Sequence, residues 1–212
     1  MNEIKFTRRD YGKHKLQNEH LASHPFSQFK TWLKEAIEKK CADPSAMVLA
    51  TIDNQGTPDT RVVLLKKLTR QNFIFFTHYT SPKAIQAEKS GTVGVNFYWP
   101  KLSKQIRIKG KIKRTARQIS THYFASRPRE SQIITFVSMQ SRVITTRHDL
   151  EKQVEEIKKR YRGKKIPCPK NWGGYHITPF EFEFFQGRTH RFNDRIRYRR
   201  LNHHWKIERL SP

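Results

Sequence analysis

Cysteine is almost missing from this 212-residue chain. Cys41 and Cys168 are the two present, far apart and in no metal-ligand or redox spacing. A disulfide framework is thereby excluded, and a reducing cytosol becomes the expected compartment. Long apolar runs are missing too: none approaches the roughly 20 residues needed to span a bilayer, and no secretory leader pattern opens the chain. A soluble protein with no membrane partner is expected. Nucleophile elbow, Walker loop, dinucleotide fingerprint and paired-carboxylate motif are all lacking. The histidines show no metal-ligand spacing, so no metal site is expected. No internal repeat or low-complexity segment is found. Acidic residues are scarce, 18 against 43 Lys and Arg, for a net charge of +25. Alone, that excess suggests nucleic acid, an anionic membrane surface or phosphorylated small ligands as partners. The basic residues are spread along the chain and concentrate in no tail, which favours a generally basic protein over a dedicated nucleic-acid arm.

What is plentiful is aromatic: 14 Phe, 7 Tyr and 4 Trp, a content that disordered chains lack. From Pro25, the residues Phe26, Phe29, Trp32, Leu33, Ala36 and Ile37 recur at three- and four-residue steps, which predicts an amphipathic helix with one face inward. A β-rich block follows. Met47 to Ile52 and Thr60 to Lys67 flank the turn signal Asn54-Gln55-Gly56, and Phe73 to Thr77, Val93 to Trp99 and Ile106 to Ile112 complete five strands. Short connections predict an antiparallel barrel. The strand Val62 to Leu65 has no strong polar face, so two such barrels could share it. Arg61 and Lys66 are five apart and point to opposite faces of a regular strand. Either a bulge intervenes or a ligand lies across the strand end.

Ser81-Pro82-Lys83-Ala84 reads as a helix start, Ser as N-cap and Pro first, running to about Ser90; its free N–H groups suit a phosphate. Thr115 to Ser126 predicts a helix ended by Arg127-Pro128. Tyr123 and Arg127, four apart, share a face there, and with Ser131 they could hold a phosphate; alternatively Arg127 caps helix carbonyls. His148 to Arg162 predicts a structural helix with Glu155/Lys159 and Glu156/Arg160 pairs, and 164–171 a connector. Near the C-terminus, Phe182 to Arg195 reads as two antiparallel strands joined by a turn around Gln186 to Thr189. Arg191, Asn193 and Arg195 would then share one face, with His190, Phe192 and Asp194 on the other. Two guanidiniums beside an amide suit a flat anionic ligand; a solvated hairpin face is the alternative. Leu201 to His204 would turn into a closing strand, Trp205 to Leu210.

Several of these motifs resemble one family. Phe-Glu-Phe-Phe-Gln-Gly followed by His-Arg-Phe-Asn-Asp-Arg (182–187 and 190–195) looks like the C-terminal signature of the pyridoxine (pyridoxamine) 5'-phosphate oxidases. The resemblance extends from about Arg8 to the last residue. Arg61-Val62-Val63-Leu64-Leu65-Lys66 matches its flavin-contacting strand, whose terminal Lys also reaches substrate phosphate. Phe76-Thr77 resembles a flavin-contacting Tyr-Thr. Ser81-Pro82-Lys83 stands for Ser-Arg-Lys, Gln105 for a Gln near the isoalloxazine edge, and Gln140-Ser141 for a flavin-phosphate pair. The run Tyr123 to Gln132 matches the substrate-phosphate motif, Arg8-Arg9-Asp10-Tyr11 a substrate-covering flap, and Trp172-Gly173-Gly174 the family's Trp-Gly-Gly. Three positions depart: Phe185 replaces Trp, Asn193 replaces a substrate-contacting His, and Pro82 replaces Arg.

The resemblance implies a homodimeric FMN-binding split barrel with flanking helices. Residues 1–24 would form a mobile lid segment and 25–212 one domain, its dimerisation and substrate region at about 170–212. Each interface flavin site would be lined by both chains. The implied reaction removes hydride from C4' of pyridoxine or pyridoxamine 5'-phosphate, with O2 as acceptor and hydrogen peroxide released. Lys66, Tyr123, Arg127 and Ser131 would anchor substrate phosphate, Arg191 with Asn193 orient the reacting carbon, and Arg8 and Tyr11 close the lid. Arg61, Val62, Val63, Leu64, Lys66, Phe76, Thr77, Pro82, Lys83, Gln105, Gln140, Ser141, Phe185 and Arg195 would hold FMN. A non-catalytic flavin- or pyridoxal-phosphate-binding relative, and a basic nucleic-acid-binding barrel, are the competing readings.

Overall fold

The computed structural model describes residues 11, 16, 19 and 21–212; Arg8 lies outside them. The chain divides into two compact units, each discontinuous in sequence. One comprises residues up to Val48 with Gly94–Lys109 and Pro179–Pro212, the other Leu49–Val93 with Gly110–Thr178. Nine strands and five α-helices are found among the described residues.

The first unit holds α1 (Pro25–Glu38), most of β5 (Thr92–Trp99), β6 (Lys104–Arg114) as far as Lys109, the C-terminal half of β7 (Trp172–Gln186), β8 (Asp194–Leu201) and β9 (His204–Leu210). Helix α1 begins at a proline, and the His24 Nδ1 accepts from the Phe26 amide at 3.3 Å. Its apolar stripe packs on strand aromatics: Phe26 on Phe182, Phe29 on Phe97 and Trp32 on Phe184, with ring centroids 5.0 to 5.3 Å apart. Burying rings of this size contributes about 1.5–3 kcal/mol each, so the helix is held by its face more than by its caps. Ile37, expected inward, is 57% exposed; it falls where the stripe leaves the sheet in the last turn. Tyr198 is fully buried and donates to the Ala22 carbonyl at 2.8 Å, and burial pushes its phenol up to about 12.

The second unit holds most of β1 (Ala46–Ile52), then β2 (Pro58–Leu64), β3 (Lys67–Leu68), β4 (Phe73–His78) and α2 (Pro82–Ser90). It also takes α3 (Arg117–Ala125), α4 (Arg129–Val137), α5 (Arg147–Arg160) and the first half of β7. Strand β4 runs antiparallel to β7, from Phe73 opposite Ile177 to His78 opposite Trp172. Phe124, Ile133, Ile157, Ile166 and Trp172 form the core beneath α3 to α5.

The predicted strand Thr60 to Lys67 is interrupted. Strand β2 ends at Leu64, Leu65 turns inward, and the Lys66 amide donates to Ile74 O at 2.9 Å before β3 resumes. The parity conflict between Arg61 and Lys66 is settled by this break. Helix α3 starts at Arg117, two residues late, and the Thr115 amide donates instead to Gly174 O at 2.8 Å. In α5, Glu155 pairs with Lys158, not with Lys159. The largest correction concerns the C-terminal hairpin. Strand β8 starts only at Asp194, and a 3-10 turn occupies 189–191 with His190 at φ 55° and Arg191 at φ 58°. Left-handed backbone breaks the two-residue alternation, so Arg191, Asn193 and Arg195 do not share a strand face.

Candidate functional site

A cavity of 270 Å³ opens in the second unit between the β2 end, β4, α3 and α4. It is lined by Leu64, Lys66, Phe76, Thr77, Tyr123, Arg127 and Gln140, all expected from the sequence, and by His78, Ile134, Thr135, Ser138 and Trp172, which were not. The chain break after Leu64 delivers Lys66 to it, β4 supplies Phe76 to His78, and the end of α3 supplies Tyr123 and Arg127.

One wall is a slab of nearly parallel rings. Phe76 stacks on Tyr123 at 4.0 Å and 19°, and on Trp172 at 5.4 Å and 16°. The Trp-Gly-Gly sequence makes the approach possible: a Cβ on Gly173 would fall 2.0 Å from the Tyr79 hydroxyl, and one on Gly174 2.9 Å from Phe76 Cε1. The Arg127 guanidinium lies over Trp172, 5.1 Å from the ring centroid, a cation–π arrangement, and its Nη1 donates to Thr135 Oγ1 at 2.5 Å. It therefore does not cap the α3 carbonyls. Burial is the main cause lowering its pKa and raising that of Tyr123, while each partly offsets the shift of the other.

The floor is a polar cluster. Thr77 Oγ1 and Lys83 Nζ both donate to Gln140 Oε1, at 2.8 and 3.2 Å, which leaves the Gln140 amide N–H groups for a bound molecule. Lys83 is 8% exposed; burial first, then Arg61, push its pKa down, with Asp59 pulling the other way. His78 is buried with its Nδ1 unpaired. Its pKa is lowered by burial, then by Lys83 and Arg127.

Among the described residues, neither Lys66, Lys83 nor Arg127 has a carboxylate within ion-pairing distance. Buried cations are ordinarily paired. Lys66 and the half-buried Arg127 line the cavity, and the buried Lys83 stands behind its floor residue Gln140, so the donor set suits phosphate. At the α2 N-terminus Pro82 has no N–H, the Ser81 amide donates to His78 O and the Ala84 and Ile85 amides to Ser81 O, while the Ser81 hydroxyl turns to His78 O at 2.8 Å and makes no cap bond.

Other expected residues sit elsewhere. Arg61 pairs with Asp59 and donates to Thr51 Oγ1 at 2.6 Å. Val62 is exposed, as are Pro82 and Ser141; Val63 and Ser131 are half-buried, and neither lines the cavity. In the first unit, Gln105 donates to Asn96 Oδ1 at 2.8 Å, Phe185 is half-buried, and Arg191 is exposed. Asn193 Oδ1 accepts from the Arg188 amide at 3.0 Å, which closes the loop. Arg195 pairs with Glu183 at 2.9 Å. Tyr11 packs on Gly187, where a Cβ would lie 2.7 Å from its ring.

These features define a class first: mainly-β split-barrel proteins with a cationic ligand cavity. The fold matches PhzG from Burkholderia lata 383, solved in complex with tetrahydrophenazine-1-carboxylic acid, at a TM-score of 0.89 and 27% identity over 95% of this chain and 100% of that one. It also matches a pyridoxamine 5'-phosphate oxidase-related, FMN binding protein from Nostoc punctiforme at a TM-score of 0.71 and 14% identity, over 91% of this chain and 100% of that one.

The chain belongs to the pyridoxine/pyridoxamine 5'-phosphate oxidase family. Residues 33–161 match the family model described as pyridoxamine 5'-phosphate oxidase, and residues 172–212 match the pyridoxine 5'-phosphate oxidase C-terminal dimerisation region. The pyridoxine/pyridoxamine 5'-phosphate oxidase of Legionella pneumophila strain Paris is 46% identical over 97% of this chain and 95% of that protein. That of Leptospira biflexa serovar Patoc is 41% identical over the whole of both.

Proposed function

We propose that this protein oxidises pyridoxine 5'-phosphate or pyridoxamine 5'-phosphate to pyridoxal 5'-phosphate with FMN as cofactor, working as a cytoplasmic homodimer. The observation that carries the reading is the cavity lined by Lys66 and Arg127, with Lys83 bonded to its floor residue Gln140 and none of the three ion-paired to a carboxylate among the described residues. Membership of the family and the 46% identity to a named oxidase support it.

Lys66 and Arg127 hold the substrate phosphate as point charge and fork, with the Tyr123 hydroxyl as a further donor. The ring slab of Phe76, Tyr123 and Trp172 excludes water and fixes a flat pyridine by its face. Lys83, Thr77 and Gln140 take the phosphate of the cofactor. Flavin bound there would supply a two-electron acceptor, with O2 as the final oxidant. The chain's contribution is positioning: binding energy from the phosphate, remote from the reacting carbon, is used to orient it. Phe185, Arg191, Asn193 and Arg195 lie outside the cavity of their own chain, and in this reading they serve across the dimer interface. Exposed Val62 and Leu64 on β2 provide apolar surface for such an interface.

The test is direct. Purified protein reconstituted with FMN should be yellow and release hydrogen peroxide and pyridoxal 5'-phosphate from pyridoxamine 5'-phosphate. Yellow protein with no peroxide would assign it to the non-catalytic relatives, and colourless protein whose polynucleotide affinity falls steeply with salt to the nucleic-acid reading.

A further inference from the structure

We infer that Thr135, a residue outside every motif of the sequence, is the positioning residue that aims Arg127 at the substrate phosphate and ties it to the α4 turn carrying Ser131. The inference rests on the proposed function.

Thr135 is 6% exposed and lines the cavity from the last turns of α4. A hydroxyl can donate or accept, but here its direction is fixed. The guanidinium is donor only, so the 2.5 Å contact with Arg127 Nη1 must be accepted by Thr135 Oγ1. The hydroxyl proton is then committed to Ser131 O, four residues back, at 2.8 Å, a geometry that a β-branched Thr adopts readily in a helix. Donating to the carbonyl polarises the hydroxyl and makes it a better acceptor for the cation. On another side the guanidinium rests over Trp172. A long side chain that would otherwise lose rotamer freedom only on binding is thus ordered beforehand by an acceptor and a ring face, neither of them anionic. That detail matters: a carboxylate at 135 would orient Arg127 equally well but would neutralise it and compete with phosphate. A neutral acceptor orients the fork and leaves its charge for the ligand.

The readout is the split between KM and kcat. Thr135→Val keeps the shape and removes the acceptor. It should raise KM for pyridoxamine 5'-phosphate about tenfold, the worth of one hydrogen bond to a charged group, with kcat within about twofold. Thr135→Ser should restore KM. In an Arg127→Ala background, Thr135→Val should add no further increase, because the effect runs through Arg127. An unchanged KM in Thr135→Val, failure of Ser to rescue, or an equal tenfold loss in the Arg127→Ala background would each overturn the proposal. If Thr135→Val does not fold, Thr135→Cys, similar in volume and a weak acceptor, carries the same prediction. A native protein without oxidase activity would instead refute the functional reading, which separates the two failures.

Discussion

The C-terminal strands of the first unit and the cavity of the second treat arginine and lysine in opposite ways. In the first, the cations of the C-terminal strands are matched: Arg195 and Arg107 share Glu183 at 2.9 and 3.2 Å, Arg197 and Lys206 share Glu208 at 2.8 and 2.9 Å, and Arg209 meets Asp194 at 2.7 Å. The matching is strong enough to hold the Glu208 carboxyl down to about 2, through Lys206 first and then Arg197. In the second, Lys66 and Arg127 line a cavity and Lys83 reaches its floor residue Gln140, and none of the three is ion-paired to a carboxylate among the described residues. Acids thus meet the cations of the C-terminal strands and, in the second unit, Arg61, Arg114 and Lys158, but among the described residues none is placed against the cations at the cavity.

The contrast can be broken most sharply at Arg127. Arg127→Ala should raise KM for pyridoxamine 5'-phosphate about 100-fold. It should move unfolding free energy by no more than about 1 kcal/mol, because the desolvation of an unpaired cation is relieved as its contacts are lost. Steady-state kinetics and urea unfolding check the two halves. The mirror experiment is Glu183→Gln in the first unit. It leaves Arg195 and Arg107 without their shared carboxylate and should lower unfolding free energy by about 2 kcal/mol, below the 3–5 expected of a fully buried pair because Arg107 is half exposed. A loss no larger than that of Arg127→Ala would erase the distinction. Tyr198→Phe, which deletes the donor to Ala22, should cost about 1 kcal/mol in the same assay.

The smallest effect is a pH dependence in the second unit. Folding lowers the His78 pKa below its ordinary 6.5, through burial and then Lys83 and Arg127. Between the two values the unfolded chain binds more protons than the folded one, so stability is full above about pH 6.5 and falls as pH drops below it. His78→Asn should make that fall shallower in thermal melts from pH 7 to 5. An identical slope would show that His78 does not contribute.

Helices α1, α2, α3 and α5 and strands β1, β4, β5 and β6 were legible because their apolar periods are regular and proline opens α1 and α2, whereas β3 and the extent of α4 were not. The cavity was legible only in part. Lys66, Tyr123 and Arg127 stood in recognisable runs, whereas His78, Thr135 and Trp172 come from three separate elements and meet only through tertiary packing. Trp172 had a signal in its Gly-Gly neighbours, which admit the close packing around Phe76; Thr135 had none, since a single Thr in an apolar helix reads as filler. The C-terminal face was misread because alternation was extended through His190 and Arg191, where positive φ breaks the strand, something no side-chain pattern there announces.

The central claim is that the unpaired cations exist to select a phosphorylated substrate. It is tested by kcat/KM of the FMN-loaded protein for pyridoxamine 5'-phosphate against pyridoxamine lacking the phosphate. The account predicts a preference of about 1000-fold or more, as the loss of two charge-assisted contacts requires. Equal values for the two substrates would contradict it.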